Sequence, residues 1–229
     1  MAARTLRLTI EVGPREKKFV AVAPDWPGLE RGGKTAESAI ETLRAYLPRY
    51  AGVAASAGME KEFAASTKLD VVERYPGIGS TDFWGISFGF SGLDRQKVTA
   101  KELDREITLM QACWAYFDDV RNRVSAEMRK GPRGGGRDRD VIVGHVLFTE
   151  QDWAKKVGVA TPEGKLVTTA PALKVYRSQL CDAIRTYHSE GKLARTWPLR
   201  FLIRHAAFHT MDHAWEMEDK DLTGDTGRK

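Results

Sequence analysis

From Trp197 to Asp219 the chain carries one proline, Pro198, and no glycine. Pro198 suits the start of a helix, where a missing N–H costs nothing, so the stretch reads as a long helix. Three of the five histidines fall in it, His205, His209 and His213, at intervals of four residues. That interval lines them up along one side of the helix. Two imidazoles spaced this way can address one point, which is what a transition metal requires of a single helix. The competing reading is a set of packed or hydrogen-bonded histidines. One helix supplies only two ligands, so a metal site needs a third from elsewhere, and the fold must bring another segment against this face.

The 229 residues suffice for one large or two small domains, and 42% hydrophobic with 29% charged residues is the balance of a folded globular chain. No apolar run approaches the roughly 18–20 residues that cross a bilayer. The first residues, Met1-Ala-Ala-Arg-Thr-Leu-Arg-Leu-Thr-Ile10, place charges inside an apolar pattern and read as a strand, not a signal peptide, so a cytoplasmic location is expected. Cys113 and Cys181 lie in helix-like stretches outside any CxxC pair and read as small buried hydrophobes. The net charge of +5 permits acidic or nucleic-acid partners without requiring them.

The N-terminal part reads as strand, turn, strand, helix, strand. Residues 4–12 alternate, with Leu6, Leu8, Ile10 and Val12 on one face and Arg7, Thr9 and Glu11 on the other. A polar turn from Gly13 to Lys17 leads to a second strand at residues 19–23. Thr35 caps a helix with apolar positions Ala36, Ala39, Ile40, Leu43, Leu47 and Tyr50, which is expected to kink or end at Pro48. Strand character returns between Phe63 and Glu73.

Within this part, Ala23-Pro-Asp-Trp-Pro-Gly-Leu29 is followed by Gly33-Lys-Thr-Ala-Glu-Ser-Ala39. The pairing resembles the HicB-type antitoxin domain, in which a Pro-Asp-x-Pro-Gly segment precedes a Gly-x-Thr-x-x-Glu-Ala helix. The resemblance covers about residues 4–75 and implies a small sheet with one helix. The DNA-binding appendage usual in that family is not visible after it.

Residues 78–98 are aromatic and glycine-rich and are expected as an extended linker or extra strand. Thr99-Ala-Lys-Glu102 forms a capping box that opens a helix carrying Leu103, Ile107, Met110, Trp114, Phe117 and Val120, extending to about Lys130. The Gly131–Arg137 segment is a break. A second helix opens at Asp138 or Asp140 and passes through His145 to Trp153, and a third runs from about Pro171 to His188. With the histidine helix these make four, which argues for a helix bundle over about 99–219, a domain boundary near residue 77 and a polar tail over 220–229. The fold class is α+β.

In such a bundle metal ligands come from facing helices. His145 lies early in the second helix beside Gly144, whose lack of a side chain is expected to let the imidazole approach a neighbour. His188 lies at the third helix's end beside Ser189, Glu190 and Gly191 and reads as solvated. His145 is therefore the better third ligand. The basic loop carries Arg121, Arg123, Arg129, Lys130, Arg133, Arg137 and Arg139 around a triple glycine. With acids interspersed and no aromatic platform, it reads as a solvated, mobile loop before it reads as a phosphate-binding arm.

Asp140 to Trp153, taken with the C-terminal histidines, is similar to the DinB / YfiT superfamily of metal-binding four-helix bundles, over roughly residues 100–219. The resemblance implies that His145, His209 and His213 are the ligands. The chain departs from the family where many members carry Gly-Gln after the last histidine and this one has Ala214-Trp215-Glu216. The extra His205 leaves a His205–His209 register open. Helical geometry favours His209 with His213, since Ala206 leaves room on their face, while His205 falls with Phe201, Phe208 and Asp212.

Three imidazoles suit zinc, nickel or iron(II), and leave positions for water or substrate. Glu150, Asp152 and Glu216 are the possible general bases; Glu216, at i+3 from His213 and i+7 from His209, leads, and Asp212 is an alternative partner for a ring nitrogen. The resemblance implies a metal-dependent hydrolase or thiol transferase acting on a small molecule such as a thiol, in the expected form of a homodimer. The rival class is a non-catalytic HicB-like antitoxin or regulator whose metal only braces the bundle.

Overall fold

The computed structural model describes residues 4–132 and 134–224, so Arg133 of the basic loop and the last residues of the polar tail lie outside the described residues. The protein is α+β, with four strands and eight α-helices among those residues. Strands β1 (Arg4–Val12), β2 (Phe19–Val22), β3 (Glu30–Gly33) and β4 (Ser66–Pro76) form one mixed sheet in the order β3-β2-β1-β4. β2 is antiparallel to both β1 and β3, and β4 is parallel to β1. The parallel step needs a crossover, supplied by helices α1 (Ala36–Ser56) and α2 (Glu60–Ala65).

The Thr35 hydroxyl accepts from Ser38 N and so caps α1. The helix does not end at Pro48 but continues to Ser56. Beyond the proline it buries Tyr50, Val53 and Ala54, and the Tyr50 hydroxyl donates to the Pro27 carbonyl at 2.7 Å. That burial outweighs the roughly 3 kcal/mol that an internal proline costs. β3 was not expected, because Glu30-Arg-Gly-Gly33 has no apolar alternation.

The segment 78–98 forms neither a linker nor a strand but two short helices, α3 (Gly79–Trp84) and α4 (Gly92–Arg95). Glu11 causes this. It lies on the β1 face expected to be polar, yet it is fully buried. Its carboxylate accepts from the hydroxyls of Thr81 (2.5 Å) and Ser87 (2.6 Å) and from the backbone N–H of Phe88 (3.0 Å) and Gly89 (2.9 Å). A buried carboxylate needs donors and a glycine-rich segment needs partners, so the strap 78–95 folds back over the sheet.

After the strap come four further long helices, α5 (Ala100–Arg123), α6 (Arg139–Ala154), α7 (Ala170–Ser189) and α8 (Leu199–Asp219). α5 stops at Arg123, short of the expected Lys130, because Val124 is extended. Leu8 and Ile10 of the sheet, Leu43 of α1, Ile107 of α5, Leu180 of α7 and Met211 of α8 belong to one hydrophobic core, so sheet and helices share an interior across residue 77. The turn at Gly28 is the joint. Its φ is +98°, and a Cβ there would lie 2.9 Å from Cys113 Sγ and 3.1 Å from Met211 Cγ. Both cysteines are free and buried. No helix among the described residues is long and apolar enough to cross a membrane.

Candidate metal centre

α8 carries His209 and His213 one turn apart, and α6 presents His145 across from them. One ring nitrogen from each of the three lies within 4.8 Å of the others. The Nε2 atoms of His145 and His209 are 3.1 Å apart. Two nitrogens on a tetrahedral zinc stand about 3.3 Å apart, given Zn–N bonds of about 2.0–2.1 Å. Only the third imidazole has to close in for the set to hold one ion. Gly144 is not what permits the approach, since a Cβ there would meet nothing within 4 Å.

His145 and His209 are held neutral. Burial pushes His209 down to about 2, with His213 and His145 adding to the effect. Burial also lowers His145, reinforced by His213 and Arg137. A neutral imidazole is the form that ligates. His213 donates from Nδ1 to Glu216 Oε2 at 2.7 Å, which leaves its Nε2 for an ion.

Glu216 is gripped from three sides. Besides His213 it takes Arg137 at 3.0 Å and Lys220 at 2.7 Å. The hydrogen bond from His213 leads in holding its carboxyl down at about 2, helped by Lys220 and Arg137 and opposed by burial. Its contacts fix it against the His213 ring, and the residues lining the adjoining cavity do not include it. The other two possible bases lie elsewhere: Glu150 is buried in a bidentate pair with Arg177, both contacts at 2.9 Å, and Asp152 pairs with Lys155 at 3.2 Å.

The fourth histidine of interest, His205, is 2% exposed and stacks on Phe201 with ring centres 4.9 Å apart, with Trp153 at 4.7 Å on another side. Burial pushes it down to about 3, and its Nδ1 has no hydrogen-bond partner. It sits among aromatic rings and takes no part in the cluster of three. His188 donates from Nε2 to the Val98 carbonyl at 2.8 Å, remote from the cluster.

The three imidazoles open on a cavity of about 560 Å³ whose other walls include Trp84, Phe88, Trp153, Phe208 and Arg137. Arg137 was not singled out as a site residue, because the basic loop reads as solvated. Lys130–Pro132 and Gly134–Gly136 are exposed, but the loop's flanks are held: Ser125 N donates to Asp221 Oδ1 at 2.8 Å and Arg129 N to the Lys220 carbonyl at 2.8 Å, just past α8, and Arg139 N to the Ala126 carbonyl at 3.1 Å. Arg121, Arg123 and Arg139 pair with Asp118, Asp119 and Asp140 at 3.1, 3.0 and 2.9 Å. No known family, curated protein or solved structure matches this chain.

Proposed function

We propose that the chain is a DinB-like protein that holds one divalent transition metal on His145, His209 and His213 and acts on a small molecule, as a metal-dependent hydrolase or thiol transferase. The observation that carries this reading is the convergence of three imidazoles, within 4.8 Å of one another, at the wall of a 560 Å³ cavity. The donor set fits zinc, nickel or iron(II). Three ligands with a cavity before them favour a reactive ion over a bracing one, since structural sites are closed by a fourth protein ligand. A bound ion supplies Lewis acidity at that wall.

The chain's own residues supply the rest. Glu216 fixes the His213 tautomer and ring plane, a positioning role in place of the general-base role expected for it. Arg137, bonded to the same carboxylate, brings a positive charge to the cavity rim. Trp153, Phe208 and Phe88 exclude water from a substrate's apolar part and strengthen every charge interaction inside. The HicB-like part, through Glu11, holds the strap that closes one side.

The test is metal content after zinc loading and dialysis, by elemental analysis, followed by a transfer assay with abundant cellular thiols. The wild type and His205→Ala should keep one equivalent of zinc, while His145→Ala and His209→Ala lose it. Equal zinc content in His209→Ala and the wild type would overturn the metal reading.

A further inference from the structure

On α8 the line His205, His209, His213 has a neighbour about 100° around the helix, the line Phe208 and Asp212. The first line faces α6. The second faces β3 and the strap, where a second cavity of about 360 Å³ lies against the metal cavity. The two share Trp84, Ile86, Phe208 and Asp212 as a common wall.

The far side of this second cavity is basic. It is lined by Lys18 just before β2, Arg31 within β3 and Lys34 just before α1, against one carboxylate, Asp212. That carboxylate is already taken by Arg31 NH1 at 2.9 Å. Arg31 is 7% exposed and rigid, its guanidinium lying 3.8 Å from the Tyr46 ring centre and 4.2 Å from that of Trp215, and its Nε and NH2 have no acceptor. Neither Lys18 nor Lys34 has a carboxylate partner among the described residues, in a protein where most other surface cations near the site are paired. The N-terminus of α1 opens beside Lys34 and adds its partial positive charge. Two lysines without carboxylate partners, across a shared partition from the three histidines, are the feature to explain.

We propose that the molecule acted on carries a carboxylate or phosphate, seated on Lys18 and Lys34 beside Arg31, with an apolar body lying along Phe208 and Trp84 and its reacting end at the histidines. This rests on the metal reading for the reacting end, but the anion seat is a separate site.

The experiment measures binding of 3-phenylpropionate, phenyl phosphate and the neutral 3-phenylpropanamide by calorimetry, to zinc-loaded and to metal-stripped full-length protein. A charge-assisted contact predicts that at least one acid binds about tenfold or more tightly than the amide. The preference should persist in metal-stripped protein and vanish in Lys18→Gln/Lys34→Gln, whose amide affinity and zinc content stay unchanged. Lys34 is exposed and Lys18 half-buried, and neither side chain has an ion-pair partner among the described residues, so the double variant should keep the wild-type melting temperature. Equal binding of acid and amide would overturn the proposal, as would a preference that survives the double variant or disappears with the metal. Zinc retained with no acid preference sinks the anion seat alone; no zinc with the acid preference intact sinks the metal reading alone.

Discussion

At the scale of single residues, Glu216 and His205 are the two whose chemistry can be read most directly. Glu216 is not one of the three clustered imidazoles, yet its bond to Nδ1 decides which nitrogen of His213 is free. Glu216→Gln keeps the shape but weakens the acceptor, and zinc affinity should fall about 10–100-fold, as is usual when a partner behind a ligating histidine is lost. A competition titration with a chromophoric chelator reads this out; an unchanged affinity would refute the orienting role. His205 carries a pH signature. Its folded-state value of about 3 lies below the ordinary 6.5, so between those values the unfolded chain binds the proton and the folded chain does not. Stability is therefore full above about pH 6.5 and lost as pH falls below it, by roughly 1 kcal/mol for this residue from about pH 7.5 to about pH 5.5. In metal-stripped protein, urea midpoints across that range should fall less for His205→Phe than for the wild type. The cluster was legible at this scale because an interval of four is a local property of a helix. Arg137 was not, because its position depends on a loop that closes through bonds to the Lys220 carbonyl and the Asp221 carboxylate, far along the chain.

At the scale of elements, the helical half is tied by one buried cation. Arg177 of α7 reaches both oxygens of Glu150 on α6 and, at 2.7 Å, Asp118 on α5. Removing it strands Glu150, 4% exposed, without a counter-charge. Arg177→Ala should lower unfolding free energy by about 3–5 kcal/mol, whereas replacing Arg177 and Glu150 together by Met and Leu should recover most of that loss. Chemical denaturation of the three variants measures it. A second test concerns the joint. Gly28→Ala combines an unfavourable positive φ with contact against Cys113 and Met211, and should lower the melting temperature by several degrees. The long amphipathic helices were legible from period and caps, Thr99 with Glu102 above all. What escaped were elements made by partners: β3, which has no pattern of its own, and α3 and α4, which depend on a carboxylate about seventy residues earlier.

At the scale of the whole molecule, the sheet and the helices build the cavity jointly. Arg204, one residue before His205, sits buried between Glu30 at 2.8 Å and Asp94 at 2.7 Å, and donates to Ser87 Oγ at 3.1 Å and to the Gly89 carbonyl at 3.2 Å. Glu11 from the sheet and Arg204 from α8 thus hold the same strap from opposite sides. Glu11→Ala removes four accepted hydrogen bonds at once and should cost about 3 kcal/mol or more. Amide hydrogen exchange at residues 81–89 should then quicken while α5 and α8 stay protected; unchanged protection there would show that the strap does not depend on Glu11.

That one carboxylate has a consequence for how such a chain can diversify. The helices supply every histidine of the cluster, but Trp84, Ile86 and Phe88 stand where they do because a strand near the other end of the polypeptide pulls them there. Recombination that exchanged the first third for an unrelated module would spare the imidazoles and leave the cavity without one of its sides, unless the newcomer brought an acid to the same spot. The cavity thus depends on both portions of the chain at once.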